Sequence, residues 1–268
     1  MKALLGDYPV TKLFKEQASL EFADVKVPST AFKRVVRELE FDVAELALMT
    51  FLLAKAHGKP YRLLPAVVTA RFQHSTLAYN PEHGALSPET LAGKRVGMRS
   101  YSVTTATWVR GILADDYGVD LDRVHWVTFE DPHVAEFHDP PNAARMPAGK
   151  DLTAMLLAGE IDAAILAEPP KDGPLRPLIR DPVAAAAAWK AKNRAIQINH
   201  MVTVKTSVSQ EQEKRIYDLL VESRKAAGNP EMNPFGVEEN RRNLEVAIEC
   251  MHRQRMIPRR LTVEELFR

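Results

Sequence analysis

The chain has 268 residues, 46% of them hydrophobic and 26% charged, which is close to the soluble globular average and excludes disorder, collagen-like repeats and a coiled coil as descriptions of the whole. At about 150 residues per domain, that length sits between one domain and two. Its 36 Lys and Arg against 35 Asp and Glu leave a net charge of +1, so no field draws it to nucleic acid or to an anionic membrane.

Short apolar runs bounded by turn residues alternate with segments of helical period, the pattern of βα units and a largely parallel sheet. A strand is predicted over 2–5. It follows Met1 with no apolar stretch and small-residue cleavage site for export, which predicts a cytoplasmic protein. Ser29 and Thr30 can cap a helix over 31–39, and a strand follows over 43–48; Thr50 can cap a helix over 51–57. Strands are expected over 63–68, 76–79 and 95–98, then a helix over 102–114 with Gly118 ending the turn after it, then a strand over 123–127. Pro132, Pro140, Pro141 and Pro147 break up residues 129–150, which read as a loop or lid. Strands over 163–166 and 201–204 follow. The alanine run over 184–188 is too short for a membrane span and is soon interrupted by Lys190, Lys192 and Arg194. The tail is helical over 210–225 and 240–254, with breaks at Asn229-Pro230 and Asn233-Pro234.

Two βα blocks precede a strand and helices that have no sheet of their own to join, so the tail is expected to return to the first block. The predicted fold is therefore α/β with two lobes, 1–82 with 198–268 forming one and 83–197 the other, linked by two crossings. Ligands of such lobes sit at the carboxyl ends of strands, facing the cleft. The tail, with Leu244, Ile248, Met251 and Met256, reads either as packing on the first lobe or as a contact for a homo-oligomer.

Several residues have the chemistry of a site. Ser100, Ser102, Thr104 and Thr105, with Tyr101 among them, lie where a strand runs into a helix, and unsatisfied N–H groups there suit a carboxylate or phosphate. Neither GxGxxG nor GxxxxGK[ST] occurs, which removes the dinucleotide and P-loop readings. Arg71 offers a bidentate fork for a carboxylate, and His74 beside it can move a proton near neutral pH; the other reading is a hinge whose side chains satisfy carbonyls. His200, flanked by apolar residues at the return crossing, is either a catalyst or a satisfied core residue. Glu168 follows a strand directly and can serve as acid, base or turn lock, and Tyr8 and Thr50 follow strands of the first lobe in the same way. Asp131, His133, Glu136, His138 and Asp139 are dense in metal-ligand types, but a spacing of five does not put both imidazoles on one helical face, so a solvated lid is preferred. The single cysteine, Cys250, excludes an internal disulfide and a CxxC metal site.

The stretches Phe41-Asp42-Val43-Ala44-Glu45, Arg71-Phe72-Gln73-His74-Ser75, Leu91-Ala92-Gly93-Lys94-Arg95-Val96-Gly97 and Thr107-Trp108-Val109-Arg110-Gly111-Ile112-Leu113 resemble 4,5-dihydroxyphthalate decarboxylases. So do Asp181-Pro182 with its alanine run, Ile198-Asn199-His200-Met201, Asn233-Pro234-Phe235-Gly236, Pro258-Arg259-Arg260-Leu261 and Glu264-Glu265-Leu266-Phe267, in the same order along nearly the whole chain. The resemblance implies a type II periplasmic-binding-protein-like fold and a cytoplasmic decarboxylase of aromatic acid breakdown that needs no cofactor. A hydroxyl para to the leaving carboxylate pushes electron density to the ring carbon, so that protonation there can precede CO2 loss. On that reading His74 or His200 transfers the proton, Arg71 and the helix start with Ser102, Thr104 and Thr105 bind carboxylate, and Tyr101 or Trp108 stacks on the ring. The competing class is a non-catalytic solute-binding protein for a small aromatic carboxylate.

Overall fold

The computed structural model describes residues 1–268. It opens with β1 (Lys2–Leu4), α1 (Pro9–Gln17), β2 (Glu21–Phe22), α2 (Phe32–Glu38), β3 (Val43–Ala47), α3 (Leu48–Ala56) and β4 (Tyr61–Ala70). The middle of the chain is β5 (Leu77–Tyr79), β6 (Arg95–Met98), α4 (Thr104–Tyr117), β7 (His125–Thr128), β8 (Ala143–Arg145), α5 (Leu152–Leu157), β9 (Ala163–Ile165), β10 (Arg176–Pro177) and α6 (Pro182–Asn193). β11 (Ile198–Lys205), α7 (Gln210–Ala226), α8 (Val237–Arg253) and α9 (Val263–Leu266) complete it. Two units result, Met1–Arg71 with Arg194–Arg268, and Phe72–Asn193.

The first unit is built on a five-stranded sheet of order β2-β1-β3-β11-β4. β1 runs parallel to β2 and β3, whereas β11 is antiparallel to both β3 and β4. The return strand therefore sits inside the sheet, between segments far away in sequence. Burial on both faces explains why β3 is a near-continuous apolar run, Val43-Ala44-Glu45-Leu46-Ala47, every residue of it buried. Leu5, Val10, Phe14, Val43, Leu64, Val68, Val202 and Val204 share one core cluster with Ile216 and Leu220 of α7. The start of α7 is fixed by a reciprocal cap in which Gln212 N–H donates to Ser209 Oγ and Ser209 N–H donates to Gln212 Oε1, both at 3.2 Å.

The second unit has a six-stranded sheet of order β10-β5-β9-β6-β7-β8. β9, β6, β7 and β8 are parallel, and β5 is antiparallel to β9 and β10. Gly97 in β6 is required by close packing, since a Cβ there would lie 2.5 Å from Leu152 Cδ1 and 2.7 Å from Ile161 Cδ1. α4 ends at Gly118, whose φ of +64° is the left-handed cap that glycine adopts without strain.

Several expectations change. Residues 72–82 fall in the second unit rather than the first, because β5 finds its partners in the second sheet. Residues 129–150 are not wholly loop: β8 extends the sheet beside β7. The alanine run forms α6, and the short β2 and β10 carry no pattern long enough to read. α3 begins at Leu48 straight from β3, so Thr50 lies inside the helix and does not cap it. Likewise Ser102 precedes α4 without capping it; Val103 holds the cap position, with no side-chain hydrogen bond to the first turn. Leu244, Ile248, Met251 and Met256 are buried, with α8 packed on α3, so these side chains do not form a subunit contact. No helix is long and apolar enough to cross a membrane.

Candidate active site

The first unit assembles a polar group within its apolar sheet. Glu45, the one charged residue of β3, is fully buried. Its Oε2 accepts from Gly6 N–H at 2.6 Å, and its Oε1 accepts from the Tyr8 hydroxyl at 2.8 Å. His200, on the adjacent β11, places Nδ1 2.7 Å from the same Oε1. A buried carboxylate without partners would be expensive to desolvate, and three donors offset that cost. The group draws on three segments, 6–8, β3 and β11, joined by the strand order β1-β3-β11.

Each donor is held from behind. Gly6 follows β1, and a Cβ on it would lie 2.7 Å from the Tyr8 ring, so only glycine lets the tyrosine fold back over the backbone whose N–H reaches Glu45. Thr11, in the first turn of α1, accepts from Tyr8 N–H at 3.0 Å and donates to the Gly6 carbonyl at 2.8 Å, fixing the loop between them. Burial, and next to it the charge of Glu45, push the Tyr8 hydroxyl well above its ordinary range, so it stays a proton donor to Glu45. The His200 ring meets Phe32 edge to face, with centroids 5.2 Å apart. With Glu45 accepting at Nδ1, the tautomer is set and Nε2 is the end left for other chemistry; the side chain is 20% exposed.

The other first-unit candidates stand apart from that group. Thr50 is buried within α3. Arg71 is half-buried at the end of the unit, its N–H donating to the Gln197 carbonyl at 3.1 Å. Asp7, beside the site, pairs with Lys15 instead.

In the second unit His74 is 1% exposed, and neither ring nitrogen has a hydrogen-bond partner. Burial lowers its pKa from 6.5 to about 4, against an opposing effect of Asp116, so it is neutral at pH 7. Its ring lies 6.4 Å from Phe72, which in turn packs against Trp189 at 6.1 Å. Trp108 packs on the same Trp189, centroids 5.8 Å apart and near-perpendicular, which makes it a core residue and not a platform for a substrate ring. Tyr101 is also engaged: the Arg110 guanidinium lies 3.7 Å over its ring, and Phe137 stacks on it at 6.3 Å. The stacking role expected of Tyr101 or Trp108 is therefore withdrawn.

At the start of α4, Ser100 is buried and its hydroxyl has no partner, while Ser102 and Thr104 are buried and Thr105 half-buried. The first turn of α4 has no side-chain cap, and the Ser100 hydroxyl just before it has no hydrogen-bond partner. Glu168 lies exposed on a bend after β9. In the Asp131–Asp139 segment both aspartates are engaged by Arg145 of β8, whose guanidinium bonds Asp131 at 2.5 Å, Asp139 at 3.0 Å and Thr128 Oγ1 at 2.8 Å. The segment is a stapled connection, and no cluster of three or more His, Cys, Asp or Glu is placed to hold a metal ion.

Sequence reasoning misses Gly6 and Glu45 as site residues. Glu45 does carry a signal, one carboxylate inside an otherwise apolar strand, which must be paired when buried. Gly6 carries none, because its close approach exists only once Tyr8 turns back.

No family model matches the chain. It is 29% identical over 197 residues to a 4,5-dihydroxyphthalate decarboxylase of Comamonas testosteroni, covering 69% of this chain and 60% of that protein's length. It is 30% identical over 182 residues to a 4,5-dihydroxyphthalate decarboxylase of Pseudomonas putida, covering 60% of this chain and 68% of that one. Among solved structures it is similar to the alkanesulfonate-binding protein SsuA from Xanthomonas axonopodis pv. citri bound to MOPS, with a TM-score of 0.54, 11% identity and coverage of 99% of this chain and 96% of that one. The periplasmic aliphatic sulphonate binding protein SsuA from Escherichia coli gives a TM-score of 0.59 at 11% identity, covering 100% of this chain and 96% of that one. At those identities the likeness shows the fold, α/β of the type II periplasmic-binding-protein kind.

Proposed function

The chain belongs to the 4,5-dihydroxyphthalate decarboxylase family, and from that premise we propose that it removes CO2 from an aromatic dicarboxylic acid such as 4,5-dihydroxyphthalate, giving protocatechuate, with His200 as the proton-transfer residue. The observation that carries the assignment to His200 is the hydrogen-bonded set around Glu45. A histidine whose Nδ1 faces a buried acceptor is fixed in orientation, with Nε2 turned away from that acceptor.

The reaction then balances simply. The imidazolium gives its Nε2 proton to the ring carbon that bears the departing carboxylate, and the hydroxyl para to it supplies the electron density. The bond to the carboxylate breaks, its electron pair returns to the ring, CO2 leaves, and solvent reprotonates the imidazole. His74 is less suited to this step, since burial keeps it neutral and both nitrogens are enclosed. Proton transfer gives the Tyr8-Glu45-His200 set a chemical task beyond satisfying a buried carboxylate.

The direct test is incubation of purified protein with 4,5-dihydroxyphthalate, measuring CO2 and identifying the aromatic product. Equal amounts of CO2 and protocatechuate are expected. Stabilisation by the acid without release of either would replace the decarboxylase with a binding protein.

A further inference from the structure

The strand next to His200 carries an unexplained hydroxyl. Along β4, Leu64, Ala66 and Val68 alternate into the same core cluster as Val202 and Val204 of β11. Continued alternation would send Thr69 to the opposite face. The pairing does not continue regularly: Met201 faces Val67, but His200 faces Thr69, so β4 advances two residues where β11 advances one. The extra residue, Val68, is a β-bulge, and it brings Thr69 into register with His200. Directly paired residues of an antiparallel ladder share a face and are near neighbours, so Thr69 lies beside the histidine.

The Thr69 hydroxyl is buried and has no hydrogen-bond partner. Two other buried threonines donate their hydroxyls to main-chain carbonyls, Thr203 to Ala44 at 2.9 Å and Thr76 to Gln73 at 2.8 Å. An orphaned buried hydroxyl is uncommon in a folded chain and calls for a cause. Here it belongs to the residue that a bulge pairs with His200.

We propose that Thr69 is a substrate-binding residue that recognises a second carboxylate ortho to the one that leaves, and so selects ortho-dicarboxylates. This rests on His200 being the proton donor, as argued above. The ring carbon that His200 protonates is directly bonded to the carbon carrying the ortho carboxylate, so that group falls within the short reach of a strand neighbour. Donation from Thr69 to this retained carboxylate holds the ring with its leaving group at Nε2. It places no bond on the departing carboxylate, whose charge must be lost as CO2 forms.

Phthalate, which has both carboxylates and no hydroxyl to activate the ring, is the probe, because its binding is read without turnover. We compare wild type, Thr69→Val, which keeps the shape and removes the hydroxyl, and Thr69→Ser, which keeps the hydroxyl. Calorimetry is expected to show phthalate binding weakened about five- to tenfold in T69V and within about twofold of wild type in T69S, the size of one hydrogen bond. Benzoate, lacking the ortho group, is expected to bind T69V and wild type alike. With 4,5-dihydroxyphthalate, T69V should raise KM and leave kcat within about threefold.

Unchanged phthalate affinity in T69V, equal losses in T69V and T69S, or an equal loss for benzoate would each overturn the proposal. Phthalate binding that depends on Thr69, in a wild-type protein that releases no CO2, would sink the decarboxylase reading while keeping the recognition of ortho-dicarboxylates.

Discussion

His200 Nδ1 and Glu45 Oε1 lie 2.7 Å apart although 155 residues separate them in the chain. The contact exists because β11 inserts next to β3, pairing His200 with Ala47 and Val202 with Glu45. Strand neighbours two residues apart share a face, so carboxylate and imidazole meet above the sheet.

Replacing His200 removes the proposed proton donor and little of the core. His200→Ala is expected to lower kcat by about 10²–10⁴-fold with a cooperative unfolding transition retained. Steady-state kinetics alongside thermal unfolding checks this; a loss below about fivefold would take the role from His200.

Glu45 serves three donors with two oxygens, and glutamine offers only one. Glu45→Gln therefore leaves a donor unmatched and is expected to reduce both kcat and stability, whereas Tyr8→Phe removes one donor and costs less, about 0.5–1.5 kcal/mol. Because the two residues share one network, the double variant should lose less than the sum of the single ones. Additive losses in a double-mutant cycle would show that Tyr8 and Glu45 act apart.

A methyl group at Gly6 would collide with the Tyr8 ring at 2.7 Å. Gly6→Ala is expected to cost about 1–3 kcal/mol through overpacking and to lower activity by displacing Tyr8 from Glu45. Thermal denaturation reads the first effect and steady-state kinetics the second. An unchanged Tm and turnover in G6A would mean that the loop simply shifts.

His74 gives the fold an acid sensitivity whose sign follows from its pKa. The folded protein holds it neutral down to about 4, while the unfolded chain binds a proton from about 6.5 downward. The unfolded state thus carries more protons between these values, and the stabilisation present above pH 6.5 is lost as pH falls toward 4, by at most about 1.4 kcal/mol per unit from this group. Urea unfolding at pH 7.5, 6 and 5 should show the slope, and His74→Leu should flatten it. An unchanged slope in the variant would mean that other groups set the acid limit.

Ser100→Ala removes the unpartnered hydroxyl at the start of α4 and no internal hydrogen bond. Tm is expected to stay unchanged or rise slightly, because the buried hydroxyl has no partner to lose. A fall in Tm, read by thermal unfolding, would show that the serine hydroxyl supports the fold.

Most of the secondary structure can be read because it rests on local periodicity. The strands at β3, β6, β9 and β11 and the helices α4, α7 and α8 all follow apolar spacing within one segment. Short pairings such as β10 with β5 cannot, since two residues hold no period and become a strand only when a neighbour supplies hydrogen bonds. Tyr101 and Trp108 show the matching limit at the site. An aromatic residue has the same sequence signature whether it faces a ligand or a second aromatic ring, and Trp189, Phe137 and Arg110 decide between them.

The sequence by itself determined an α/β chain whose last strand returns to the first sheet, the family resemblance, and His200 as a proton-transfer candidate. Only the tertiary structure decided that His200, Tyr8 and Gly6 converge on Glu45, that His74 is enclosed and neutral, and that a bulge pairs Thr69 with His200. The physical reason is that periodicity is written within each segment, whereas a buried polar group is stabilised by whichever donors the strand order and register bring to it.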